Sequence, residues 1–171
     1  MLPIAAALLL VAAPQGDDPG KMINDPNPAS FNVYGVTPAP RTVLDEAVQG
    51  QRALPLNTSG KGEAFAVGVS VPITQDIKKG DHLMMMFFAK LSKADPGVTT
   101  TKITGGIQLA SAPYSALLSD TVEVPTDWKL FQVTGVADKN YPKGTVNGSF
   151  QVNTGHQTIS MGLVAIFDKG K

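Results

Sequence analysis

The chain has 171 residues, 17 glycines, 13 prolines, no cysteine, and basic and acidic side chains in equal number, 14 of each. A formal charge of zero leaves no positive field to gather phosphate or an anionic bilayer surface, which excludes nucleic acid and membrane surfaces as partners. The missing cysteine excludes disulfides, thiolate metal sites and cysteine catalysis, and the glycine and proline punctuation suits short strands and turns better than helices.

Ile4 to Ala13 is an apolar run of signal-peptide length, too short to span a bilayer. Pro14 stops it and polar Gln15, Gly16, Asp17 and Asp18 follow. Residues 1–16 therefore read as an export signal, and the mature protein as secreted or periplasmic in a bacterium, with no membrane insertion once the signal is removed.

Residues 17–40 are dense in proline, glycine, asparagine and aspartate. They read as a lead-in arm that wraps the domain, with one short strand around Phe31 to Tyr34, because proline is confined to edge or irregular positions of a sheet.

From residue 41 to 171, runs of strand length alternate with turn signals, the pattern of an all-β antiparallel sandwich. Thr42–Leu44 and Arg52–Leu56 flank Gln49-Gly50. Phe65–Val71 alternates Phe65, Val67, Val69 and Val71 against Ala66, Gly68 and Ser70, the period of a half-buried strand. His82–Leu91 is apolar nearly throughout and reads as a central strand covered on both faces. Its Met84-Met85-Met86 run points to alternate sides and cannot converge on one ion. Further strands are expected at Lys102–Leu109, Ser119–Val124, Lys129–Val136, Gly144–Asn153 and Thr158–Phe167. Trp128, at a strand entrance, reads as a core plug ahead of a sugar platform.

Several segments occur in a telling order. Val71-Pro72-Ile73 leads through Ile77 to Asp81 into the long strand ending Phe88-Ala89-Lys90. Gly106-Ile107-Gln108-Leu109-Ala110 follows with Ala112-Pro113-Tyr114. Asp127-Trp128-Lys129-Leu130-Phe131 runs to Gly135-Val136-Ala137-Asp138, and Gln157-Thr158-Ile159 runs through Gly162 to Phe167-Asp168. In this order they resemble the carbohydrate-binding modules of the family 4/9 type, over residues 40–168. These modules occur in bacterial xylanases and as free-standing exported domains. The resemblance implies a galactose-binding-like jelly roll, a polysaccharide or oligosaccharide partner and no catalysis.

Sugars are held by aromatic faces against C–H surfaces and by planar amides that both donate to and accept from hydroxyls. Alternation turns Gln108 outward between Ile107 and Leu109, and Gln151 and Asn153 outward beside Phe150 and Val152. With Gln157 after the next turn and Tyr114 as the stacking face, these five residues form the expected ligand site. The resemblance also implies a structural calcium at Asp168, with partners from Asn24, Asp25 or Asn32 in the lead-in; calcium needs six or more hard oxygens. No other cofactor is expected.

Catalysis has little to hold on to. No nucleophile elbow, H-E-x-x-H or Walker loop is present. His82 and His156 sit in turns, and nothing singles out a catalytic pair among Asp45, Glu46, Glu63, Asp120 and Glu123. The competing expectation is a self-assembling or partner-binding protein of the cell envelope, a homo-oligomer built through the same sandwich and its N-terminal arm.

Overall fold

Every second side chain along most strands is apolar, and those side chains meet between two sheets. The computed structural model describes residues 18–171; the export-signal reading falls on residues 1–16, outside the described residues. The strands are β1 (Lys21–Met22), β2 (Asn32–Tyr34), β3 (Val43–Leu44), β4 (Arg52–Ser59), β5 (Gly68–Pro72), β6 (His82–Ala94), β7 (Thr100–Leu109), β8 (Ala116–Pro125), β9 (Lys129–Val136), β10 (Val146–Gln151) and β11 (His156–Asp168). One sheet has six strands, in the order β3-β4-β11-β6-β9 with β1 added beside β11; the other has five, in the order β2-β5-β10-β7-β8. Every pairing is antiparallel. The fold is thus the expected all-β sandwich.

The interior is built where the two sheets face each other. Phe87 of β6 and Phe150 of β10 are fully buried and meet edge to face, with ring centroids 4.8 Å apart; Phe131 of β9 stacks on Phe87 at 5.3 Å. Such pairs add about 0.5–1.5 kcal/mol beyond the area they bury. Ile103 and Ile107 of β7 and Ile159 and Ile166 of β11 complete the same cluster.

The lead-in arm supplies a strand to each sheet: β1 pairs with β11 and β2 with β5. Between them, buried Asn24 latches the arm to β11. Its amide donates to the Val164 carbonyl at 2.8 Å, and its side-chain oxygen accepts from the Ile166 N–H at 2.7 Å. Prolines 26 and 28 fall between these two short pairings, where no ladder bond is lost.

Two local expectations change. The strand read at Phe65–Val71 begins only at Gly68; Ala64–Ala66 is a single 3-10 turn and Phe65 is 58% exposed. The turn forms because the chain after β10 takes its carbonyls: Asn153 N–H donates to Ala64 and Val152 N–H to Val67. Trp128 is not in the sandwich interior. It is half-buried on the outer side of the six-stranded sheet, where its indole N–H donates to Asp45 at 3.1 Å and Lys90 Nζ lies 4.7 Å from its ring centroid. There the turn after β3 folds over the sheet, and buried Val48 packs beside Gly162 and Phe88. Met85 points into the core, whereas Met84 and Met86 line that outer side. No described helix is long and apolar enough to cross a membrane, which says nothing of strands.

Candidate functional site

The outer face of the five-stranded sheet follows directly from strand register. Antiparallel partners share a face, so residues aligned across the sheet form rows. One row runs Tyr34, Gly68, Gln151, Thr104, Thr121; the next runs Asn32, Ser70, Ser149, Gly106, Ser119; the third runs Pro72, Asn147, Gln108, Ala116. Small and amide side chains dominate, so the face is a flat polar floor. It bears a shallow groove of about 120 Å³ in which Gln108, Tyr114 and Gln151 meet, with Thr104, Gly106 and Ser149 between them and no charged residue in the lining. Neither Gln108 nor Gln151 makes a side-chain hydrogen bond to another described residue, which leaves both amides for a ligand.

Two tyrosines stand at opposite corners. Tyr114 belongs to the tight loop between β7 and β8, closed by its own N–H donating to Ser111 and by Leu109 N–H donating to Ser115. Its φ is +56°, a left-handed conformation that costs a side-chain-bearing residue about 1–2 kcal/mol. A turn alone would favour glycine or asparagine there. A tyrosine, 57% exposed, holds its ring out of the surface instead. Tyr34, 40% exposed, lies across Gly68 of the neighbouring strand, whose missing Cβ makes room for the phenol; the partial burial raises its pKa. With strands about 4.8 Å apart and about 3.3 Å per residue, the diagonal from Gly68 to Gln108 is about 16 Å, an extended platform rather than a single-ring pocket.

Searches of protein families and of curated proteins found no match. Solved structures do match. A CBM4 module superposes with a TM-score of 0.60 over 82% of this chain and 96% of its own, at 18% identity. The N-terminal cellulose-binding domain of Cellulomonas fimi β-1,4-glucanase C gives 0.60 over 91% and 99%, at 19% identity. The CBM22-1 xylan-binding domain from Paenibacillus barcinonensis gives 0.59 over 91% and 99%, at 11% identity. The fold is the jelly roll of the carbohydrate-binding modules.

On this module fold, the residues expected from sequence divide into groups. Gln108, Tyr114 and Gln151 come together. Asn153 does not join them. β10 ends at Gln151, and Asn153, only 3% exposed, turns inward and ties down the loop before the 3-10 turn. Its side-chain oxygen accepts from the Gly60 N–H at 3.0 Å, and its amide donates to the carbonyls of Lys61 and Glu63 at 2.7 and 3.1 Å. Period-2 reading fails here because the chain has already left the strand. Asn153→Ala is expected to cost about 2–3 kcal/mol by stranding those loop groups, read by denaturant unfolding, while leaving the groove residues in place.

Gln157 does not join the Gln108, Tyr114 and Gln151 groove either. It is 7% exposed and sits on β11, in the six-stranded sheet, at the end of the sandwich; its amide donates to Thr154 Oγ at 3.0 Å.

The expected calcium partners fare differently. Asn32 lies on the outer face of the five-stranded sheet opposite Ser70, and the Asp25 carboxylate accepts from the Asn27 N–H. Neither meets Asp168, because the arm residue that passes beside it in register is Lys21. The group at Asp168 is Asp81, from the turn before β6. It is 5% exposed and accepts from the Lys78 N–H at 2.7 Å. Burial, and then the like charge of Asp81, raise the Asp168 pKa, while the Gly170 N–H bound to Asp168 at 2.8 Å opposes the shift. Two facing carboxylates suit a hard cation in charge, although no third acidic or histidine side chain joins them among the described residues.

Sequence reasoning missed Tyr34, Asn147, Ser149 and Asp81. Their signals were present but weak: Tyr34 is an aromatic in an arm, and Asp81 a turn residue beside a strand.

Proposed function

We propose that the chain is an exported, non-catalytic carbohydrate-binding module that holds an uncharged polysaccharide across the outer face of its five-stranded sheet. The observation that carries this is the convergence of two unpaired amides, Gln108 and Gln151, with the exposed Tyr114 in one uncharged groove. An amide offers a donor and an acceptor to neighbouring hydroxyls, and the tyrosine ring packs on sugar C–H bonds. The cellulose-binding and xylan-binding domains of the same fold point to β-linked plant glycans as the first probes. Affinity electrophoresis through hydroxyethylcellulose, xylan, mannan and starch should show retardation in at least one gel. Folded protein that migrates freely through all four sinks the reading.

A structural calcium held by Asp168 and Asp81 belongs to the same proposal. Backbone carbonyls and water would complete its shell, since two carboxylates supply at most four oxygens. The pH sign follows from the raised Asp168 pKa: its contribution to stability is present in full below the ordinary aspartate value of 3.8 and is lost as pH rises past it. Calcium-free protein should therefore lose stability on going from acid to neutral pH through this group, and Asp168→Asn should remove that loss. Millimolar calcium at neutral pH should raise the Tm of the unmodified protein and leave the variant unmoved. An equal rise in both, or none in either, rejects the site.

A further inference from the structure

At one end of the sandwich the interior opens into a polar mouth instead of closing with apolar side chains. On β7 and β11 the inward positions that carry Ile103 and Ile159 in the core carry Thr101 and Gln157 one step further out. The turn from β6 to β7 and the turn from β10 to β11 form the walls. The resulting cleft has a volume of about 420 Å³, several times that of the groove on the sheet and within the ordinary range for small-ligand sites.

The polar groups of this mouth hold one another in place and still leave valences open. Gln157 donates to Thr154 Oγ at 3.0 Å, and Thr154 meets Thr101 Oγ at 3.1 Å. Thr100 donates to Glu123 at 2.7 Å, and His156 Nδ1 lies 2.9 Å from Asp95. The Gln157 residue is more than nine-tenths buried and lines the cleft, yet its side-chain carbonyl oxygen accepts no hydrogen bond from any described residue. No buried side-chain nitrogen or oxygen of the described residues lacks a partner, so this oxygen is reached by solvent; it lies beside Gly155 in the cleft lining, open to a ligand. One carboxylate oxygen of Asp95, one of Glu123 and His156 Nε2 remain free as well. Exposed Val98 and the backbone of Gly155, which the Gln157 side chain overlies, supply apolar surface.

We propose that this cleft is a second binding site, for a single sugar unit such as the terminal residue of a neutral glycan, held through its vicinal hydroxyls. A diol presents donors and acceptors at adjacent carbons, which matches the alternation of fixed acceptors and hydroxyls here, and Val98 offers the face for the ring's C–H side. The site lies at the end of the sandwich, apart from the platform bearing Gln108 and Gln151 on the outer face of the five-stranded sheet. It does not depend on glycan binding at that platform.

The test is ¹⁵N–¹H NMR titration of the full chain with the methyl glycosides of glucose, xylose, galactose and arabinose. For at least one of them, the Gln157 side-chain amide and the Gly155 and Val98 N–H signals should shift saturably, and the same shifts should persist in the Tyr34→Ala/Tyr114→Ala variant. Gln157→Met should weaken that binding at least about fivefold, the loss of one hydrogen bond. If that variant does not fold, Asp95→Asn and His156→Ala, both at exposed positions, serve instead with the same expectation. No shift with any of the four glycosides overturns the second site, as do shifts confined to Gln108 and Gln151, which would support the platform alone.

Discussion

Replacing Tyr34 and Tyr114 together by alanine is expected to weaken polysaccharide retention by on the order of 100-fold. Each ring is exposed, 40% and 57% respectively, and each covers enough sugar C–H surface to be worth about 1–2 kcal/mol. The two rings do different work. Tyr34 lies across Gly68 and extends the floor of the platform, so its loss uncovers a backbone strip that no side chain can refill. Tyr114 stands up from a left-handed turn, so its loss removes the raised end against which, on the proposed reading, a glycan chain would be registered. Single variants should each lose roughly the square root of the double effect, provided the rings are too far apart to couple. Leu130→Ala, at an exposed position on β9 of the other sheet, is the control and should bind as the parent does. Unchanged migration of the double variant in a gel that retards the parent would place the glycan elsewhere.

Phe150→Ala should destabilise the fold by about 3–5 kcal/mol. The ring is fully buried, meets Phe87 edge to face at 4.8 Å, and fills the space above Gly105, where a Cβ would come within 2.9 Å of it. Its neighbours are strand backbones tied on both sides by ladder hydrogen bonds, so the cavity cannot collapse. A loss of that size is a large part of an ordinary domain's stability and should lower the Tm by roughly 10–15 °C. Ser149 and Gln151 flank Phe150 on the same strand and point the other way, to the platform. At temperatures where the variant is still folded, glycan binding should survive with a modest loss. A midpoint shift in denaturant equivalent to less than about 1.5 kcal/mol would mean that the core repacks around the site.

These two expectations rest on different layers of information. Phe150 was identifiable as a core residue from alternation alone, because a strand with one buried face repeats every second residue. The same rule turned Gln108 and Gln151 outward correctly, since both lie inside continuous strands. It failed at Asn153 and at Phe65, one just past the end of β10 and the other just before the start of β5. Side-chain direction is free once the ladder stops, and both residues take their direction from loop hydrogen bonds between segments some 90 positions apart in the chain. Trp128 was legible as an apolar anchor, but which side of the sheet it covers depends on Asp45 and Val48, which arrive from a distant turn.

The sequence by itself determined that the described chain is an all-β sandwich, where most of its strands lie, and that its formal charge is zero. The first two follow from local periodicity and turn residues, each readable within a short window, and the third from a sum over all side chains. Which outward residues become neighbours was decided only by the tertiary structure. Strand order put β10 between β5 and β7 and β2 at the edge, which aligned Gln108 with Asn147, and Gln151 with Gly68 and Tyr34. It also sent Gln157 to the other sheet and set Asp81 beside Asp168. The physical reason is that pairing partners in such a sheet are chosen by burying both inner faces at once. That balance is struck over the whole molecule and has no signature at any single position.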